Sequence, residues 1–147
     1  MVHIKKKRLI ITTPLEDATL LGMASTLKAY QLAWLINKTT ALKLAKVADL
    51  HTELPSLVVS YNNHFLFATE HCTYRLIQNK SIMSKERTIN YLVPSLKYID
   101  FFFSIRDFTQ TFDIDAFCSV MRTTDKITYI ATLDLKVCKN KEHLFFD

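Results

Sequence analysis

A single glycine, Gly22, occurs in the whole chain, and that scarcity excludes more chemistry than any motif present supports. Walker-type phosphate loops, dinucleotide-binding turns, the nucleophile elbow of serine hydrolases, the K-homology loop and the glycine-containing signature of RNA-recognition motifs each need two or more glycines, because the backbone must turn left-handed or approach a ligand closely. None can be built here. Cysteine is equally sparse: Cys72, Cys118 and Cys138 form no C-x-x-C pair and leave an odd one over, which reads as reduced, largely buried thiols in a reducing compartment. His3, His51, His64, His71 and His143 are scattered without metal-ligand spacing, so neither a metal nor a cofactor is expected. A Cys/His nucleophile pair assembled by the fold stays open, although nothing in the sequence marks a cysteine as activated. Long apolar runs are missing too. No stretch approaches the ~18 residues of a membrane span, and Leu9-Ile10-Ile11 behind the basic cluster is shorter than the ~7 to 15 apolar residues of a secretion signal. The expectation is a cytoplasmic protein without membrane association.

What is present is an ordinary globular composition, 49% hydrophobic and 22% charged, with an aromatic content of 12% that includes ten phenylalanines. The 147 residues suit a single α+β domain spanning 1–147, with 136–147 as a loosely attached polar tail that Leu144-Phe145-Phe146 would pin to the core. The net charge of +5 is concentrated: Lys5, Lys6, Lys7 and Arg8 supply four of the 19 basic side chains, and without them the chain is nearly balanced against its 14 acids. That run is the candidate nucleic-acid contact. On a strand, alternation sends Lys5 and Lys7 to one face and Lys6 and Arg8 to the other, so the expected affinity for DNA or RNA is weak.

Along the chain, residues 3 to 11 read as an edge strand. Thr13-Pro14-Leu15-Glu16 has capping-box form with proline at the first helical position. A long amphipathic helix is predicted from Pro14 to Asn37, with Leu20, Met23, Leu27, Tyr30 and Trp34 on one buried face and Asn37 as a left-handed cap. Gly22 inside it costs about 1 kcal/mol and marks either close packing against a strand or a break, with the firmer helix beginning near Ser25. Ala41 to Leu50 suggests a short helix. Leu57–Tyr61 and His64–Thr69 around Asn62-Asn63 read as a hairpin. Thr73–Gln78, Thr88–Val93 and Ile99–Arg106 read as strands separated by a polar loop from Asn79 to Arg87, with Ile99, Phe101, Phe103 and Ile105 on one face, Phe102 on the other, and Pro94 at a strand end. Asp113 caps a second helix carrying Ile114, Phe117, Val120 and Met121, with Asp115 in its first turn, and Ile127–Leu135 returns to a strand. The order predicts a mainly antiparallel sheet of five to seven strands, with a long N-terminal and a shorter C-terminal helix packed on it. Leu20, Leu27, Trp34, Phe101, Phe103 and Phe117 are its expected core.

The missing catalytic motifs and the surplus of apolar residues favour a non-enzymatic binding or interaction module, as a homodimer or with a protein partner. Nucleic-acid binding through residues 5–8 and exposed aromatics is the second reading, the Phe101–Phe103 run being read as core ahead of a stacking platform, and an enzyme with a fold-assembled site the third.

Three segments also resemble the bacterial IPExxxVDY family. Val93-Pro94-Ser95-Leu96-Lys97-Tyr98-Ile99-Asp100-Phe101 has the spacing of the naming motif, with Val93, Pro94, Ile99, Asp100 and Phe101 at its marked positions and Ser95 in place of its glutamate. Tyr30 through Lys38, carrying Tyr30, Trp34 and Asn37, is similar to the family's helix signature, with Ala29 and Gln31 where an aspartate and an arginine are usual. Lys139 through Phe146 is similar to its closing segment. The resemblance implies a family of uncharacterised function. It brings no active site, only these motif positions.

Overall fold

The computed structural model describes residues 18–53, 59–82 and 89–134. In chain order they form β1 (Ala18–Ser25), α1 (Ala29–Thr39), β2 (Ala45–Lys46), β3 (Leu50–Glu53), β4 (Val59–Asn62), β5 (His64–Ala68), β6 (Cys72–Gln78), a 3₁₀ turn (Pro94–Leu96), β7 (Phe101–Asp107), α2 (Ile114–Arg122) and β8 (Ile127–Thr132). Six strands make an antiparallel sheet in the order β2-β5-β6-β7-β1-β8, and β3 and β4 make a separate ribbon. The architecture is α+β. The expected edge strand at 3–11, the cap at Thr13–Glu16, Cys138 and the tail lie outside the described residues.

Strands β1 and β7 are neighbours, pairing Leu20 with Ser104, Leu21 with Phe103 and Gly22 with Phe102. Both are covered on both faces, which explains their unbroken apolar runs: a strand with two buried faces needs apolar residues at consecutive positions. The long N-terminal helix is therefore corrected. Of its described residues, Ala18–Ser25 form β1, the steps from Leu20 to Met23 to Leu27 imitate helical spacing by accident, and the helix runs over Ala29–Thr39. Gly22 sits at the crowded centre of β1, where an added Cβ would lie 2.8 Å from Ile99 Cδ1 and 3.1 Å from Leu133 Cδ1. Close approach accounts for it.

One face of the sheet carries both helices. Leu21, Met23, Leu76, Phe101, Phe103 and Ile105 pack there against Leu32 and Ile36 of α1 and Phe117 and Met121 of α2. Asp113 caps α2 as expected, its Oδ1 accepting from the Ala116 amide at 2.9 Å. The other face holds Leu20, Ile77, Leu92, Val93, Ile99 and Phe102 in a second cluster. Ile99 thus parts from Phe101 and Phe103: its amide donates to the Leu96 carbonyl in a turn before β7 begins, which breaks the alternation assumed for it.

Three further expectations change. Ala41 to Leu50 is not helical but carries β2, with Leu42 and Leu44 buried. The hairpin at Asn62-Asn63 has both strands but not their pairing. Strand β4 joins β3, and β5 joins β2 and β6, because Asn62 is fully buried and its Nδ2 donates to the Gln78 and Asn79 carbonyls at 2.9 and 3.0 Å. Asn63 alone connects the strands, a corner between two sheets rather than a reversal. Of the strand expected over Thr88–Val93, residue 88 lies outside the described residues. The rest makes a single bridge, Lys80 to Tyr91, before the Pro94 turn.

Candidate functional site

The expected buried stripe on the first helix faces the opposite way. Helix α1 turns Ala29, Leu32, Ala33 and Ile36 onto the sheet. Tyr30 and Trp34 stand outward instead, 60% and 61% exposed, so Trp34 is not a core residue and Leu27 is only partly buried. The phase of the helix is set by where it starts. Gln31 Oε1 accepts from the Lys28 amide at 2.9 Å, closing the first turn, and every position is rotated relative to a helix begun at Pro14.

Spacing of four residues aligns Tyr30, Trp34 and Lys38 into one outward ridge about 12 Å long. Lys38 Nζ lies 4.8 Å from the Trp34 ring centroid, a cation–π contact. Beside the ridge runs a groove of about 500 Å³ lined by Leu27, Tyr30, Gln31, Trp34, Leu35 and Lys126. On the other side of Tyr30 a more polar hollow of about 450 Å³ is walled by Lys28, Lys46, Asn63, Phe65 and Gln78. No acid occurs between Asp17 and Asp49, whereas Lys28, Lys38, Lys43 and Lys46 do. This acid-free stretch is the sequence signal that would have pointed to the face.

Residues of the segments that resemble the IPExxxVDY motifs form part of the scaffold under it. Asp100 Oδ2 accepts from the Ser25 amide at 2.9 Å. The Ser25 hydroxyl accepts from the Leu27 amide at 3.1 Å and donates to the Lys126 carbonyl at 2.7 Å. One carboxylate thereby aligns the entry to α1 with the backbone of the groove's far wall. Asn37 does not cap in a left-handed conformation, since the helix runs on to Thr39. Its side chain instead clamps Leu44, accepting from that residue's amide at 2.8 Å and donating to its carbonyl at 2.9 Å. Val93, Ile99 and Phe101 are buried, and Pro94 opens the 3₁₀ turn. Of the motif positions, only Tyr30 and Trp34 face outward at the groove. Lys5, Lys6, Lys7 and Arg8 lie outside the described residues.

Four of the described groups suited to covalent or acid–base chemistry, Cys72, Cys118, His64 and Asp107, are occupied otherwise. Burial pushes the thiols of Cys72 and Cys118 above their ordinary range. His64 is 5% exposed, with Nε2 3.3 Å from Arg75 Nη1. Burial first, then the charges of Arg75 and Lys46, push its imidazole down to about 4. At neutral pH it is uncharged and packed away. Asp107 is pushed upward by burial, but hydrogen bonds from the Thr109 hydroxyl and from the amides of Phe112, Thr109 and Thr111 outweigh this and hold it below the usual carboxylate range. It braces the turn into α2. Among the described residues no three His, Cys, Asp or Glu side chains gather as a metal site, and no helix is long and apolar enough to cross a membrane. Comparison with protein-family models, with curated proteins and with solved structures finds no match to the chain.

Proposed function

We propose that the protein acts as a non-catalytic interaction module in the cytoplasm and that its contact surface is the outer face of α1. The observation that carries this reading is the exposure of Trp34 and Tyr30, 61% and 60%, on one ridge above an apolar groove. Large aromatics left in water beside a concave apolar wall are the residue types that dominate binding energy at protein interfaces. The free, buried thiols of Cys72 and Cys118 support a reducing compartment. On this reading the resemblance to the IPExxxVDY family reflects a shared scaffold, with Asp100 and Asn37 holding the elements that present the ridge.

Single-stranded nucleic acid is the second reading, since Lys28, Lys38 and Lys126 surround rings on which bases would stack. Two features favour protein. The groove has aliphatic walls in Leu27 and Leu35, and one face of the Trp34 ring is already covered by Lys38.

The test compares the wild type with Tyr30→Ala/Trp34→Ala as immobilised baits in native lysate. The substitutions leave circular dichroism and the melting temperature nearly unchanged, because both side chains are exposed, while proteins held by the wild type are lost. Identical retention by both baits would overturn the reading.

A further inference from the structure

Resting on that reading, we infer that the α1 face takes an acidic segment with one apolar side, laid along the Tyr30–Trp34–Lys38 ridge with carboxylates on Lys38 and Lys126. Charge complementarity selects this occupant. The helix and its flanks from Ala18 to Ala48 carry four lysines and no acid. Asp49, the next acid along the chain, is engaged by Lys46 at 2.6 Å, and the Asp100 carboxylate accepts from the Ser25 amide at 2.9 Å. Asp125, beside Lys126, is the one acid next to the groove in sequence. Among the described residues neither Lys28, Lys38 nor Lys126 forms an ion pair. The backbone of Lys126 is fixed beside the groove, its carbonyl accepting from the Ser25 hydroxyl at 2.7 Å.

The groove sets the second requirement. Leu27, Leu35, Tyr30 and Trp34 surround a space of about 500 Å³ that is rewarded only by apolar side chains. A ridge of about 12 Å matches two turns of a partner helix, so anchors at every third or fourth position would fall into it while acids between them reach the lysines. A second copy docked through the same face would set these lysines against their own counterparts, a like-charge contact.

The experiment uses the full chain, whose only tryptophan is Trp34, so its emission reports directly on the groove. The probes are a synthetic amphipathic peptide of about four helical turns with leucines on one side and glutamates elsewhere, the same peptide with lysines for glutamates, and an oligouridine of about a dozen nucleotides. The acidic peptide shifts Trp34 emission to the blue, saturably, and binds at least about tenfold tighter than the basic peptide or the oligouridine at physiological salt. Lys38→Glu/Lys126→Glu reverses the order of the two peptides. Tighter binding of oligouridine, equal binding of both peptides, a blue shift with protein concentration alone, or no shift with any probe would each overturn the inference. The lysate test separates the two readings: retention lost by Tyr30→Ala/Trp34→Ala but kept by Lys38→Glu/Lys126→Glu sinks the acidic occupant and leaves the docking face standing, whereas retention kept by both variants sinks both.

Discussion

The two faces of the six-stranded sheet are specified by different physics. On the helix face the core is a continuous apolar layer crossed by stacked rings: Phe67 on Tyr74 at 5.7 Å, Tyr74 on Phe103 at 6.3 Å and Phe103 on Phe117 at 5.0 Å. On the opposite face a smaller apolar cluster shares its space with Asn62 and Asn79, both fully buried. Asn79 is satisfied on every side. Its Nδ2 donates to the Leu96 and Ile99 carbonyls at 3.0 and 2.9 Å, its Oδ1 accepts from the Val93 amide at 2.9 Å, and its backbone bonds Asp100 and Leu92. Shape and volume order the first face. Directed hydrogen bonds order the second, where one asparagine positions the irregular segment from Leu92 to Asp100 against the sheet.

Truncation should separate the two most strongly. Phe103→Ala removes the central ring of the stack and is expected to cost about 3–5 kcal/mol in chemical denaturation, whereas Phe103→Leu recovers much of that because volume is what the site needs. Asn79→Asp keeps the volume, yet it withdraws two donors and places a carboxylate against two carbonyls, for an expected loss of roughly 3 kcal/mol. If Asn79→Asp proved neutral, the contrast between the faces would collapse.

A weaker probe lies where β1 meets the Pro94 turn. Gly22→Ala drives a methyl group against Ile99 Cδ1, at 2.8 Å before relaxation, and is expected to cost about 1–3 kcal/mol. Removing that atom with Ile99→Val should recover part of the loss, so a double-mutant cycle will show coupling of at least about 0.5 kcal/mol. Additive effects would place the strain elsewhere.

His64 tests the polar side by pH. Its imidazole titrates at about 4 when folded and near 6.5 when free, so between those values the unfolded chain binds the proton and the folded chain does not. Its contribution is complete above about pH 6.5 and declines as the pH falls toward 4, on the order of 3 kcal/mol in all. Urea midpoints measured across that window should fall with acidification, and His64→Phe should flatten the slope. The smallest effect belongs to neither face of the sheet: Trp34→Ala is expected to change stability by less than about 0.5 kcal/mol, because the ring stands in water.

How much of this was legible follows from the same contrast. The α+β class, β6, most of β7, the capped α2 and the burial of Phe101, Phe103 and Phe117 were readable, since each lies on a face ordered by apolar periodicity. Helix α1 was half readable. Its span from Tyr30 to Asn37 was anticipated, but its phase was not, because a doubly buried strand in front of it continued the apolar spacing and hid the true start. The groove was missed for that reason: Trp34 and Tyr30 were assigned to the core, and the acid-free stretch around them was the signal left unused. Asp100 and Asn37 stood out as motif positions, yet their roles as clamps were invisible, since their partners lie 75 and 7 residues away.

By itself the sequence determined the α+β class, which glycine-dependent motifs a chain with one glycine cannot build, and where α2 begins, because composition, periodicity and capping act locally. Only the tertiary structure decided that Ala18–Ser25 is a strand, that β4 and β5 belong to different sheets, and that Trp34 faces solvent. Each of those outcomes depends on which distant backbone or side chain completes a hydrogen bond or covers a second apolar face. Spacing along the chain carries no record of that choice.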